Sequence, residues 1–344
     1  MEHRQLGRTG VSVSKLCLGA MMFGAWGNPD HDDSIRIIHA ALDAGINFVD
    51  TADVYGQGES EEIVGKALTG GRRDDVVLAT KVFSPMGDDV NRRGMSRRWI
   101  MRAVENSLRR LDTDWIDLYQ IHRLDPETDV EETLGALTEL VQQGKVRYIG
   151  ASTVPAPAIV EAQWAARDRR LQRFVTEQPP YSILVRGIET DVLPTCAKYG
   201  MGVMTYSPLA GGWLSGRWRK GSDQPCSTRD ARLPERFDLS LPANQRKLDA
   251  TEQLAQLADD AGIPLIRIAI AFVLNHPAVT AAIIGPRTME HLKSQLPAVD
   301  VVLDEALLDR IDEIVAPGIN LNPADAGELA GWTNPALEPA ARRR

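Results

Sequence analysis

Four residues between positions 50 and 122 carry side chains that together could move a proton: Asp50, Tyr55, Lys81 and His122. A phenol titrates near 10 and is a weak acid at neutral pH. A neighbouring ammonium stabilises the phenolate and lowers that value, and a carboxylate beside the ammonium keeps it charged and in place. Lys81 and Asp50 are the residues available for those parts. An imidazole such as His122 can donate a hydrogen bond to a carbonyl oxygen and orient it. The set would make a proton donor for a carbonyl that is receiving a hydride. Taken singly, each residue has a plainer explanation. An Asp after a strand is usually a cap or turn residue, and a Lys or His at a strand end is often just a satisfied polar group. The case rests on all four falling at one place in the predicted fold.

That fold follows from alternation. Short β-rich runs occur at Lys15–Leu18, Asn47–Asp50, Val76–Lys81, Ile116–His122, Val146–Ala151, Phe174–Glu177, Gly202–Ser207 and Ala281–Ile284. Several are continuously apolar, as suits strands buried on both faces of a parallel sheet. Helical patterns fall between them at Ser34–Ala44, Ser60–Leu68, Ser96–Leu111, Val130–Gln143, Pro155–Asp168, Gly187–Tyr199 and Thr288–Leu296, with Gly45, Gly144 and Gly200 placed to end three of them. This predicts the α/β class and a (β/α)8 TIM barrel rather than a doubly wound open sheet. Barrels carry their chemistry at the C-terminal ends of the strands. Asp50, Lys81 and His122 end the second, third and fourth predicted strands, and Tyr55 lies in the loop after the second. Three additions are expected: an N-terminal β-hairpin across Arg4–Val13 closing the barrel's bottom, a long lid loop Trp213–Gln245 after strand seven, and an extra C-terminal helix at Leu303–Ala316. One domain is expected over 1–316. The tail 317–344, rich in Pro, Ala and Gly, is expected to be poorly ordered unless it docks.

Composition narrows the partners. A hydrophobic share of 43% in 344 residues is enough for one large core. The formal net charge of −8 argues against nucleic acid or membrane headgroups as partners. Three widely spaced cysteines, Cys17, Cys196 and Cys226, imply neither a disulfide framework nor a metal or redox motif, which points to a reducing cytoplasm. Leu16–Trp26 reads as a buried strand running into a loop rather than a signal peptide. His31-Asp32-Asp33 reads as a helix N-terminus, so no metal site is expected. No Gly-x-Gly-x-x-Gly follows a strand; Gly56-Gln-Gly58 comes nearest, with Glu61 in the third glycine's place.

The run Gly45-Ile-Asn-Phe-Val-Asp-Thr-Ala-Asp-Val-Tyr55-Gly, continuing through Glu59-Ser-Glu-Glu and Gly65-Lys-Ala-Leu, closely resembles the signature of the aldo-keto reductase superfamily. Ala79-Thr-Lys81-Val and Leu118-Tyr-Gln-Ile-His122 resemble its lysine and histidine segments in the same order, and the resemblance covers roughly residues 1 to 316. It implies NADPH across the barrel mouth, hydride transfer to a small aldehyde or ketone, Tyr55 as acid, Lys81 and Asp50 as its tuners, and His122 as the group that positions the carbonyl. Ser152 and Gln178 match positions that hold the carboxamide, and Tyr206 matches the aromatic that stacks on the nicotinamide. Ser207, Pro208, Leu209, Ala210 and Gly211 resemble the pyrophosphate loop, with Arg217 at its usual lysine position. Gly285, Arg287, His291 and Gln295 match the adenosine phosphate segment, and Gly19, Ala20 and Met21 join the implied cofactor contacts. Arg287, after strand eight and at a predicted helix start, also suits a 2′-phosphate by its own chemistry. Arg229 lies near an arginine that some relatives use on the cofactor. The sequence departs from the family at Thr153, where Asn is common, at Ser294-Gln295, where Glu-Asn is common, and at Pro179; these bear on fine cofactor contacts.

Trp26, Val54, Phe83 and Trp213 are candidate substrate walls, with Trp213 and Trp218 divided evenly between that role and the core's edge. A second function class is an NADP-binding regulatory subunit, because potassium-channel beta subunits share most of these motifs. A third, a barrel isomerase or lyase without a redox cofactor, is disfavoured by the Tyr206–Arg217 loop and Arg287.

Overall fold

A computed structural model describes residues 1–221 and 233–327. Strands β1 (His3–Gln5) and β2 (Ser12–Ser14) pair antiparallel. Eight parallel strands then close a barrel: β3 (Leu16–Gly19), β4 (Phe48–Asp50), β5 (Val77–Val82), β6 (Ile116–Ile121), β7 (Val146–Ser152), β8 (Thr176–Gln178), β9 (Gly202–Thr205) and β10 (Ala281–Ile284). They follow one another around the ring in chain order, with β10 closing on β3. The predicted (β/α)8 barrel is therefore the observed fold.

The helices are α1 (His31–Asp43), α2 (Glu59–Ala67), α3 (Arg97–Leu111), α4 (Val130–Gln142), α5 (Ala156–Arg169), α6 (Val192–Tyr199), α7 (Pro242–Ala261), α8 (Leu265–Asn275), α9 (Met289–Gln295) and α10 (Glu305–Ile314). His31-Asp32-Asp33 opens α1 as expected, and the helix starts earlier than predicted because Asp30 is its cap, its carboxylate accepting from the Asp33 amide. Gly187–Tyr199 divides into a short 3₁₀ turn and α6. Two long helices, α7 and α8, lie between β9 and β10, where the sequence pattern predicted none, and His276 caps the end of α8.

Strand alternation divides the apolar residues into two cores. Leu16, Leu18, Val49, Leu78, Val82, Tyr119 and Ile121 face the helices. Cys17, Phe48, Ala79, Leu118, Met204 and Ala281 fill the barrel's interior, joined from below by Leu6 and Val13 of the hairpin. The hairpin is held under the barrel by side chain to backbone bonds: Arg4 donates to Val279 and Leu274 carbonyls, and Asn47 donates to the Ser12 carbonyl. Gly7 packs so closely on Gly202 that a Cβ on it would lie 2.6 Å from the Gly202 nitrogen, and its φ of +59° is the left-handed region. Higher in the barrel the same alternation turns Lys81 and Gln120 inward, both fully buried. The interior thus changes from apolar at the bottom to polar near the mouth.

The expected lid has more structure than a loop. Residues Ala210–Ser215 and Pro234–Arg236 form 3₁₀ turns, and α7 begins at Pro242, inside the predicted loop. Residues 317–327 dock on the barrel. The Leu321 amide donates to the Leu184 carbonyl, and buried Asp325 pairs with Arg236 and Lys247 at 2.6 Å each. Among the described residues no helix is long and apolar enough to cross a membrane, and no cluster of His, Cys, Asp and Glu could hold a metal ion.

Candidate active site

Asp50, Lys81 and His122 reach the barrel mouth from β4, β5 and the residue after β6, and Tyr55 from the 3₁₀ turn after β4. Lys81 Nζ lies 2.5 Å from Asp50 Oδ2, 2.8 Å from the Thr51 carbonyl oxygen and 3.4 Å from the Tyr55 hydroxyl. The Tyr55 and His122 rings meet edge to face with centroids 5.7 Å apart. All four predicted residues are thus brought together.

The other Asp50 oxygen, Oδ1, accepts from Gln178 Nε2 at 2.9 Å and Gln120 Nε2 at 3.1 Å. Gln120 was not singled out from the sequence. Its signal was there: it lies two residues before His122 on one strand and so shares its face. Gln178 Nε2 also reaches Gln120 Oε1 at 3.3 Å, so both its amide hydrogens are engaged and its oxygen is the atom left to accept. Ser152 donates to the Gln178 carbonyl at 2.9 Å.

Burial alone would drive the Lys81 ammonium down, but Asp50 and Tyr55 outweigh it and raise its pKa above 10.5. Tyr55 departs from expectation. Its hydroxyl is raised above 10, because burial outweighs the lowering by Lys81, and Asp50 adds to the rise. His122 is pushed well below 6.5 by burial first and then by Lys81 and Arg123, so it is a neutral imidazole at pH 7.

Beside Tyr55, the Trp26 ring stands 5.8 Å away, centroid to centroid. A clip missed in the sequence holds its loop there. Glu59 Oε2 accepts from the Ala25 amide at 2.7 Å, and Oε1 meets His31 Nε2 at 2.8 Å. Val54 and Phe83 are half-buried near the same rim. Trp213 is not a wall residue: it is fully buried, stacked on Trp218 at 3.9 Å with the Lys247 ammonium 4.4 Å from its ring. The division left open by the sequence resolves toward the core because this aromatic stack seals the lid's base.

Tyr206 is half-buried, and its hydroxyl lies 3.2 Å from Thr153 Oγ1. The loop after it turns through left-handed residues, Ser207 at φ 57°, Ala210 at 48° and Gly211 at 73°, with Pro208 and Leu209 between. Positive φ at non-glycine positions is uncommon and concentrates at functional sites. Arg287 follows β10, and its guanidinium has no partner among the described residues; Asn28 bonds only its carbonyl oxygen. Arg217 is exposed. His291 is pushed below 6.5 by burial and then by Arg287 and Arg217, so its imidazole is held toward the neutral form in the neighbourhood of both guanidinium groups. The α9 N-terminus is partly taken by its own cap, since Thr288 Oγ1 accepts from the His291 amide. Buried Gln295 has an Oε1 without a hydrogen-bond partner among the described residues. Gly285 is exposed with open space where a Cβ would sit, Gly19 and Ala20 are buried at the end of β3, and Met21 is half-buried. Arg229 lies outside the described residues.

A profile of the aldo/keto reductase family matches residues 15–316. The chain belongs to the aldo/keto reductase family. The uncharacterized oxidoreductase YrpG of Bacillus subtilis is 42% identical over 91% of this chain and 96% of its own. A probable voltage-gated potassium channel subunit beta of Arabidopsis thaliana is 36% identical over 92% and 97%. The versiconal hemiacetal acetate reductase of Aspergillus parasiticus is 35% identical over 92% and 98%. This aldo/keto reductase thus resembles both named reductases and named channel subunits along nearly its whole length.

Proposed function

We propose that the protein is an NADPH-dependent oxidoreductase that reduces an aldehyde or ketone to an alcohol, with Tyr55 as proton donor. The observation that carries this is the contiguous set Asp50–Lys81–Tyr55 with neutral His122 at the barrel mouth. The surroundings fit the cofactor. Arg287 and Arg217 gather positive charge suited to a phosphate, the Gln178 oxygen is free to accept from a carboxamide, and Tyr206 offers a ring to a nicotinamide.

When bound, the nicotinamide supplies the hydride to the carbonyl carbon. Tyr55 gives its hydroxyl proton to the carbonyl oxygen, and the phenolate left behind faces the Lys81 ammonium. A hydroxyl held above 10 keeps its proton through the physiological range, so it is spent only when negative charge builds on the substrate oxygen. Asp50 fixes the ammonium, and Gln120 and Gln178 fix Asp50. His122, being neutral, serves as a hydrogen-bonding group rather than a second acid. Trp26, Val54 and Phe83 are proposed as the substrate walls.

The likeness to channel beta subunits supports a second reading, an NADP-binding regulatory subunit with slow turnover. One assay separates the two: NADPH absorbance followed with a panel of aldehydes and ketones. The reductase reading expects consumption with at least one carbonyl, and a Tyr55→Phe variant that binds NADPH with about 10²–10⁴-fold lower kcat. Tight NADPH binding without consumption favours the regulatory reading, and undiminished turnover in Tyr55→Phe removes that residue's assigned role.

A further inference from the structure

Away from the mouth, three side chains around one cavity have polar atoms that lack hydrogen-bond partners among the described residues. Trp99 on α3 is 2% exposed, and its indole Nε1 is unpaired. Asp53, in the loop between β4 and α2, is 1% exposed, and both carboxyl oxygens are unpaired. Half-buried Arg92, in the loop between β5 and α3, has an Nε that makes no hydrogen bond and meets Asp89 Oδ2 only as an ion pair at 3.8 Å. All three line a cavity of about 280 Å³, with Arg102, Asn106 and Arg110 also on its wall.

The chemistry of these atoms defines what is missing. An indole N–H and a guanidinium N–H can only donate. Asp53 is pushed well above 3.8 by burial first and then by the neighbouring Glu61 carboxylate, which favours the protonated form that can also donate. Arg110 would oppose this, but its Nε is engaged on Glu61 Oε2 at 2.6 Å. The indole and guanidinium donors face one space, and a buried donor left without an acceptor costs about 1–3 kcal/mol. The missing group is therefore rich in acceptors. Its charge follows from the remaining side chains. Arg102 has no ion-pair or hydrogen-bond partner among the described residues, and Arg92 reaches only Asp89, at 3.8 Å. The cavity equals the volume of roughly nine liquid waters, more than a single bridging water fills.

We propose that this cavity binds a small oxyanion of the phosphate class, held between the Trp99 indole and the guanidinium groups of Arg92 and Arg102. A phosphate offers three strong acceptor oxygens, matching donors that approach from separate elements. The site adjoins the catalytic loop from behind. Asp53 stands two residues before Tyr55, and its amide donates to the Lys81 carbonyl at 3.2 Å.

The test follows the indole N–H resonances of ¹⁵N-labelled protein during titration with inorganic phosphate, with chloride holding ionic strength constant. The Trp99 signal is assigned by its loss in Trp99→Phe. The expected result is a saturable shift of the Trp99 resonance, with the apparent Kd raised about tenfold or more in Arg102→Gln, a change at an exposed position. The absence of a saturable shift, a shift that tracks ionic strength alone, or an unchanged Kd in Arg102→Gln overturns the proposal and leaves the cavity as a water pocket.

Discussion

Single residues here are governed by the contest between burial and partners. Lys81 is fully buried and Tyr55 half-buried against it, yet only the lysine has a full set of compensating contacts, and both groups end up raised. Glu177 shows the same contest outside the mouth. It is fully buried on β8, accepts from the Val154 amide through one oxygen at 2.9 Å, and has no hydrogen-bond partner on the other among the described residues. Burial pushes it from 4.5 up to about 8. The folded protein therefore keeps a proton that the unfolded chain loses above 4.5. Stability present at lower pH is lost progressively as pH rises from 4.5 to 8, by roughly 3 kcal/mol at pH 7. Glu177→Gln keeps the acceptor and removes the titration, so its melting temperature should exceed the parent's clearly at pH 8.5 and only slightly at pH 5. A gap of the same size at both values would show that this carboxyl does not set the dependence. Sequence could name Asp50, Tyr55, Lys81 and His122 because the apolar runs before them fix where strands end. It missed Gln120, which has no distinctive chemistry until a neighbour needs it. It also misjudged the direction for Tyr55, because the sign of two opposing effects depends on burial.

Among elements, the segment after β9 was the hardest to foresee. Its polar composition reads as a loop, but Pro242 sits in the first turn of α7, where a missing amide hydrogen costs nothing. The base of this segment is a compact unit. Trp213, Trp218 and Phe237 stack over Lys247, whose ammonium burial lowers to about 8 against the opposing pull of Asp325. Asp325 belongs to the docked segment 317–327, so one carboxylate joins the lid's base, α7 and the C-terminal segment. Removing it leaves a fully buried lysine without its anion, a loss of about 3–5 kcal/mol for such a pair. In Asp325→Ala, amide hydrogen exchange should quicken across 233–247 and 317–327 while β4 to β7 keep their protection. Exchange unchanged in both segments would mean the clasp holds nothing.

At the scale of the whole molecule, ligand binding and stability are one quantity. If NADPH is the cofactor, holding it at 100 times its Kd adds about 2.7 kcal/mol, a rise in Tm of about 4 °C for a chain of this size. Much of the difference between NADPH and NADH should reside in Arg287, whose guanidinium has no partner among the described residues. Arg287→Ala should bring the NADPH shift down to that of NADH, read by thermal melting with each nucleotide; a preserved difference would place the discrimination elsewhere. The barrel itself was legible because eight short apolar runs separated by helical patterns have few other ways to bury both faces. The docking of residues 317–327 was not, because it depends on contacts with Leu184, Arg236 and Lys247 far away in the chain.

The hairpin beneath the barrel has a kinetic corollary. With Leu6 and Val13 packed into its lower end and Gly7 pressed on Gly202, the barrel's interior is filled and offers no passage from below. Any molecule that uses the mouth must come and go on the same side. For the proposed reduction, cofactor and carbonyl would then share one side for arrival and departure, so whichever lies beneath the other should bind first and leave last.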